Sequence, residues 1–360
     1  MDFDFSEDQE QLRDAVRKWV DKGYDFERRR SIVNAGGFDR GVYTELAELG
    51  LTGLYVSEEH GGMGMGPVEA MIAMEELGRG IVLEPLAQTL IASAVLQTHA
   101  PADLQSSWLP RMAGGEAIVV LAHQERGARH HLDRCKAEAK EAGGQWTVSG
   151  TKSIVPALAD GQMALFLVER TAAGVMAEGY VTQDGSRAAE VAFSNSPAQL
   201  ITQNGLTGLQ EAADIGSACI CAEGVGVMDK TLAITAEYLN TRKQFNVPIA
   251  SFQALRHRIA DMKMQLELAR SMSYYASLKL KAPEAERRQA MARARYQLGT
   301  SMRFVGQSAV QMHGGIGVTD EYIVSHYFRK LTQLETTFGD SLHHLGEVSA
   351  RMQGTAGVFA

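Results

Sequence analysis

The chain has 360 residues, enough for two or three domains of ordinary size. It is 45% hydrophobic and 22% charged, as water-soluble globular proteins are, and its net charge of −8 excludes general binding to nucleic-acid backbones. Three cysteines without metal-ligand spacing argue against a disulfide framework. The acidic start, MDFDFSEDQE, is no signal peptide and no apolar run reaches membrane-spanning length, so a cytoplasmic location is expected.

Residues 1–115 read as helical. Ser6 can cap a helix that runs through Leu12, Val16 and Trp19. A glycine-rich turn, Glu58 to Gly66, precedes a stretch from Val68 to Leu77 that is apolar on one side and acidic on the other. Over residues 116–212 the period shortens. Ala117–Ala122, Gln145–Ser149, Met163–Val168 and Glu190–Phe193 read as short strands bounded by Gly, Asp and Ser, which predicts a small β domain. Residues 213–360 are helical again. Leu255, Ile259, Met262, Leu266 and Ala269 alternate steps of four and three, as do Leu298, Met302, Val305, Ala309 and Met312. Pro283 marks the turn between these helices. The expected architecture is a helical domain, a β-barrel-like domain and a helical bundle, and a bundle alone implies no chemistry.

Two segments could carry chemistry. In the run from Tyr238 to Ile249, Arg242 and Phe245 stand three apart and would share a helix face. A guanidinium binds phosphate bidentately, and a phenyl ring offers a stacking surface for adenine. The plainer alternative is a basic helix end that complements the dipole. The second segment is Gln311-Met312-His313-Gly314-Gly315-Ile316-Gly317. One glycine there is expected as a helix C-cap. Three in four residues permit close backbone approach to a ligand.

Taken in order, Arg-x-x-Phe, Pro-Ile-x-Ser-Phe-Gln, Asp261-Met262 and Gln-x-His-Gly-Gly-Ile-Gly resemble the C-terminal signature of acyl-CoA dehydrogenases. The resemblance extends through Ser57-Glu58-Glu59-His60-Gly61-Gly62, Glu75-Glu76-Leu77-Gly78-Arg79, Glu125-Arg126-Gly127 and Val148-Ser149-Gly150-Thr151-Lys152. It implies a four-helix C-terminal bundle, bound FAD, an acyl-CoA substrate and an electron-transfer flavoprotein as acceptor. It also implies homo- or hetero-oligomers, with FAD lying across a subunit interface. Arg242, Gln244, Phe245, Gln311, Gly314 and Gly315 would then contact the adenosine and pyrophosphate part of a cofactor held mainly by the neighbouring subunit. Asn246 stands where the family usually has Gly, and Asn also tolerates a left-handed backbone. On the flavin side, Gln124, Ile154 and Pro156 replace the usual Thr, Trp and Thr. Gln124 can still hydrogen-bond, whereas Pro156 offers neither hydroxyl nor N–H.

The catalytic base is the largest departure. Counting from Gln311, the usual Glu position holds Phe338, before Gly339-Asp340. The alternative position used by some members falls at Gly216. Asp340 is the nearest carboxylate, and a helix N-cap is its plainer role. Glu335 is expected to face solvent, and a base from another chain is the third option. Phe338-Gly339-Asp340 followed by His343-His344-Leu345, with Leu255 to Met262, resembles the small subunit of pimeloyl-CoA dehydrogenases and related steroid-degrading heteromers. In these one chain type can lack the base that its partner supplies.

Overall fold

The computed structural model describes residues 4–126, 129–152 and 164–352. Ile154, Pro156 and Gly127 lie outside that set. Six helices come first: α1 (Glu7–Gly23), α2 (Phe26–Asn34), α3 (Arg40–Glu48), α4 (Pro67–Arg79), α5 (Leu86–His99) and α6 (Ala102–Ala113). Five strands follow: β1 (Glu138–Ala142), β2 (Gln145–Lys152), β3 (Leu165–Leu167), β4 (Val175–Val181) and β5 (Arg187–Thr202). The rest is helical apart from one small hairpin: α7 (Gly205–Thr241), β6 (Lys243–Gln244), β7 (Val247–Pro248), α8 (Gln253–Lys279), α9 (Glu284–His313), α10 (Val324–Thr336) and α11 (Ser341–Met352). Helical ends thus flank a central antiparallel sheet, as the sequence predicts.

The chain forms two compact units. The first comprises Met1–Ser31, Pro67–Val82 and Ser217–Ala360; the second comprises Ile32–Gly66 and Leu83–Gly216. In the first, Ser6 caps α1 through a reciprocal box. Its hydroxyl accepts the Gln9 N–H, while the Gln9 side chain accepts the Ser6 N–H. The predicted stripes are the core seam: Met262, Leu266 and Ala269 of α8 meet Leu298, Met302, Val305 and Ala309 of α9, all fully buried. Helix α7 crosses α4 at glycines. A Cβ on Gly226 would overlap the Glu75 carbonyl, and one on Gly78 would overlap that of Glu223, so only glycine lets the backbones meet. Charges close the same contact. Arg17 pairs with buried Glu76 at 2.6 Å, Arg79 bridges Glu76 and Asp229, and Arg270 bridges Glu75 and Asp229.

In the second unit, β5 is the organising strand. It pairs with β4 over Arg187–Phe193, with β2 over Val191–Ala198 and with β3 over Gln199–Thr202, always antiparallel. The predicted strand Glu190–Phe193 is therefore a fragment of a 16-residue one. Ala117–Ala122 is not a strand. It runs without a ladder partner, and the Leu121 N–H is satisfied by the Gln88 side chain at 3.1 Å instead. The helical core of this unit gathers Val56, Leu96, Leu109 and Met112, with Trp108, Val119 and Ile201 against it.

Candidate functional site

The segment after α7 does not continue as helix. Strands β6 and β7 pair Lys243 with Pro248 and Gln244 with Val247. Phe245 (φ 53°) and Asn246 (φ 63°) form the tip, both left-handed, as a two-residue hairpin turn requires. The Ile249 N–H donates to the Arg242 carbonyl at 2.8 Å and closes the hairpin. Arg242 and Phe245 therefore do not share a helix face; they stand at the base and tip of a hairpin. Phe245 is 85% exposed, its ring edge-on to Phe252 at 6.0 Å. The predicted tolerance of Asn246 for a left-handed backbone is what the turn uses.

The glycine segment ends α9. Gly314 adopts φ 62°, ψ −139°, a conformation that favours glycine. A Cβ at Gly314 or Gly315 would meet nothing within 4 Å, so the backbone there is open on the surface, beside exposed Gln311. The two segments are joined at their roots. The His313 ring stacks on Tyr238 with centroids 4.4 Å apart, and the Tyr238 hydroxyl donates to the His313 carbonyl at 3.3 Å. An exposed guanidinium, an exposed phenyl ring and an open glycine backbone make a donor set that fits the phosphates and adenine of a dinucleotide. Tyr238 was not singled out from sequence. Its signal is position, one helical turn before Arg242.

On the second unit, Gln124 is buried and followed by buried Glu125. Glu125 accepts from Lys152 Nζ at 3.0 Å and from the Lys136 and Ala137 N–H groups at 2.9 and 3.0 Å. Burial pushes this carboxyl up, but those bonds outweigh it and hold the pKa below the usual range. Burial, aided by the Lys152 charge, pushes His123 down to about 4, so its imidazole is neutral. His123, Lys136, Ala137 and Lys152 border a cavity of about 1480 Å³ whose apolar walls include Val95, Trp108, Leu121, Trp146 and Phe166.

The two positions expected for the base, Phe338 and Gly216, hold no carboxylate. Phe338 sits at φ 55° and Gly339 at φ 108°, a turn that a phenylalanine occupies at a strain of about 1–2 kcal/mol. Gly216 lies within α7. Asp340 Oδ1 accepts the His343 N–H at 2.8 Å, the capping role at the start of α11. Glu335 does not face solvent. It is buried, and its Oε1 accepts from Arg303 at 2.9 Å, the Ser341 hydroxyl at 2.7 Å and the Ser341 N–H at 3.1 Å. The turn is held from α9 by Arg295, which is 1% exposed. Its Nη2 donates to the carbonyls of Leu334 (3.0 Å), Glu335 (3.3 Å), Thr337 (2.7 Å) and Gly339 (3.0 Å). Arg295 extends the Leu298–Met312 stripe by one step of three, and that misplaced charge was its signal in the sequence.

The family descriptions "Acyl-CoA dehydrogenase, N-terminal domain" and "Acyl-CoA dehydrogenase, C-terminal domain" match residues 6–116 and 203–353. The chain belongs to the acyl-CoA dehydrogenase family. Acyl-CoA dehydrogenase IpdE2 of Mycobacterium tuberculosis is 29% identical over 327 residues, covering 90% of this chain and 91% of that protein. The short-chain-specific enzyme of Megasphaera elsdenii is 26% identical, over 83% and 86% of the two chains. Among solved structures, a Tcur3481–Tcur3483 steroid ACAD superposes with a TM-score of 0.88 at 27% identity, over 98% and 99% of the chains. The ChsE4–ChsE5 complex of M. tuberculosis shares the fold with a TM-score of 0.89 at 24% identity, over 99% and 100%. As an acyl-CoA dehydrogenase, the chain is an oxidoreductase of a flavoprotein family that uses FAD. Among the described residues no helix is long and apolar enough to cross a membrane, and no side-chain cluster could hold a metal.

Proposed function

We propose that this chain is the small, β-type subunit of a heteromeric FAD-dependent acyl-CoA dehydrogenase, whose catalytic carboxylate comes from a partner chain. The observation that supports this reading is Phe338 where the resemblance expects the base, on a turn bonded to Arg295. The nearby carboxylates have other work: Asp340 caps α11, and Glu335 anchors Arg303 and Ser341. A phenyl ring takes no proton, and an acyl-CoA α-proton needs a positioned base.

Arg242, Gln244 and Phe245 on the hairpin, with Gln311 and the Gly314–Gly315 backbone, would hold the adenosine diphosphate part of FAD across the subunit interface. Gln124 would face its flavin side. When bound, FAD would supply the hydride acceptor, and an electron-transfer flavoprotein would serve as the electron acceptor. Two similar structures, Tcur3481–Tcur3483 and the ChsE4–ChsE5 complex, are named as pairs of chains, which supports a heteromer here.

The test is an assay of the purified chain with a panel of acyl-CoAs and an artificial electron acceptor, alone and with a glutamate-bearing homologue, beside Asp340→Asn. Activity of the chain alone should be near background and rise by about 10²–10⁴-fold with the partner. Robust turnover by the single chain that disappears in Asp340→Asn, with FAD still bound, would make Asp340 the base. Turnover that survives that change would point to Glu335 or another group.

A further inference from the structure

Cys135 stands apart from the other two cysteines. Cys219 and Cys221 are fully enclosed in α7, and burial pushes their thiols up to about 12 and about 11, which leaves them inert. Cys135 is half-buried, in the chain just before β1, and it borders the large cavity of the second unit. Its Sγ receives a hydrogen bond from Lys152 Nζ at 3.3 Å and donates to Glu125 Oε1 at 3.5 Å. Glu125 also binds Lys152 directly and is fixed by the Lys136 and Ala137 N–H groups. A thiol, an amine and a carboxylate thus meet at a cavity wall, with the sulfur and the lysine nitrogen already in contact.

We propose that Cys135 and Lys152 form a peroxide-sensitive modification site that closes into a covalent sulfur–nitrogen link. Hydrogen peroxide reaches the sulfur through the cavity. The sulfur attacks one peroxide oxygen and the O–O bond breaks. The thiol becomes a sulfenic acid, oxidised by two electrons, and the peroxide is reduced to water. The neighbouring amine, after losing a proton by way of Glu125, attacks the sulfur. The S–O bond breaks and a second water leaves. One thiol, one ammonium and one peroxide yield one S–N bond, two waters and one proton. The flexible four-carbon stem of lysine lets its nitrogen close the remaining gap, and dithiothreitol reverses the link by thiol attack on sulfur. The link ties the end of β2 to the chain before β1, across the cavity wall. It also removes the cation that neutralises Glu125. This inference uses none of the groups in the functional proposal, so either can fail alone.

The experiment treats the full-length protein with a stoichiometric series of hydrogen peroxide, then maps peptides by mass spectrometry with and without dithiothreitol. The expected product is a Cys135–Lys152 cross-linked pair lighter by two hydrogens, restored by dithiothreitol. Before oxidation, iodoacetamide should label Cys135 at least about tenfold faster than Cys219 or Cys221. Lys152→Arg keeps the charge beside Glu125 but cannot give the same product, so it should accumulate sulfenic acid that dimedone traps at Cys135. The wild-type result needs no variant to fold. Dimedone adducts or higher oxides at Cys135 in the wild-type chain, with no link to Lys152, would overturn the proposal. So would a Cys135 no more reactive than the two buried thiols.

Discussion

The hairpin with its glycine turn and the turn around Phe338 sit in the same compact unit and treat their functional residues in opposite ways. At the first, the residues expected from the family resemblance are present and exposed, and little else in the chain touches them: Phe245 is 85% open, and nothing lies within 4 Å of a Cβ added at Gly314 or Gly315. At the second, the expected carboxylate is gone while the backbone is over-determined, with four carbonyls on one buried guanidinium and Glu335 bound to Ser341. Exposed, unsupported side chains are those whose value comes from something outside the chain. A buried, heavily bonded turn serves the chain itself. The difference is what the proposed function expects, with a binding role kept at the hairpin and a proton-transfer role given up at Phe338.

Three measurements would break or sharpen that contrast. The largest effect is expected at Arg295. Arg295→Leu strips the last carbonyls of α10 and the Phe338 turn of their donor, and should lower unfolding free energy by about 2–4 kcal/mol in urea titration. A loss under about 1 kcal/mol would mean the turn is held by something else. At Arg242 the effect falls on the ligand instead. Arg242→Ala should weaken FAD retention by about 1.5–3 kcal/mol, roughly 10- to 150-fold, with the urea midpoint unchanged. Equal FAD affinity in variant and wild type would remove the hairpin from the cofactor site. The smallest effect belongs to Asn246→Gly. Since Asn already accepts φ 63°, the gain in stability should not exceed about 0.5 kcal/mol. A larger gain would show strain at the hairpin tip that the backbone angle does not suggest.

Sequence periodicity carried most of the fold, because helices that bury one stripe repeat it. Leu298 to Met312 and Leu255 to Ala269 are core seams for that reason. It carried less where one pattern serves two structures. An Arg and a Phe three apart suit a helix face as well as a two-residue hairpin, and Phe245-Asn246 lacks the glycine that would announce the turn. The short apolar run Ala117–Ala122 reads as a strand, but a glutamine from α5 took the place of a ladder partner. Burial of Glu335 depends on Arg303, 32 residues earlier, a partnership no local pattern discloses. Asp340 was the reverse case, since an Asp ahead of a helical run is a cap before it is anything else.

Arg295 has a consequence for how such a subunit can arise. Its four acceptors are main-chain oxygens, which every residue type possesses. The path of the chain through 337–339 is therefore specified by a helix dozens of residues away and not by the side chain it displays. Identity at 338 can change without redrawing that path, at the toll of a left-handed backbone and of the packing Phe338 makes against the bundle core. A chain can therefore exchange the residue at 338 and keep its path there, and Phe338→Glu would place a carboxylate on a backbone already held in shape.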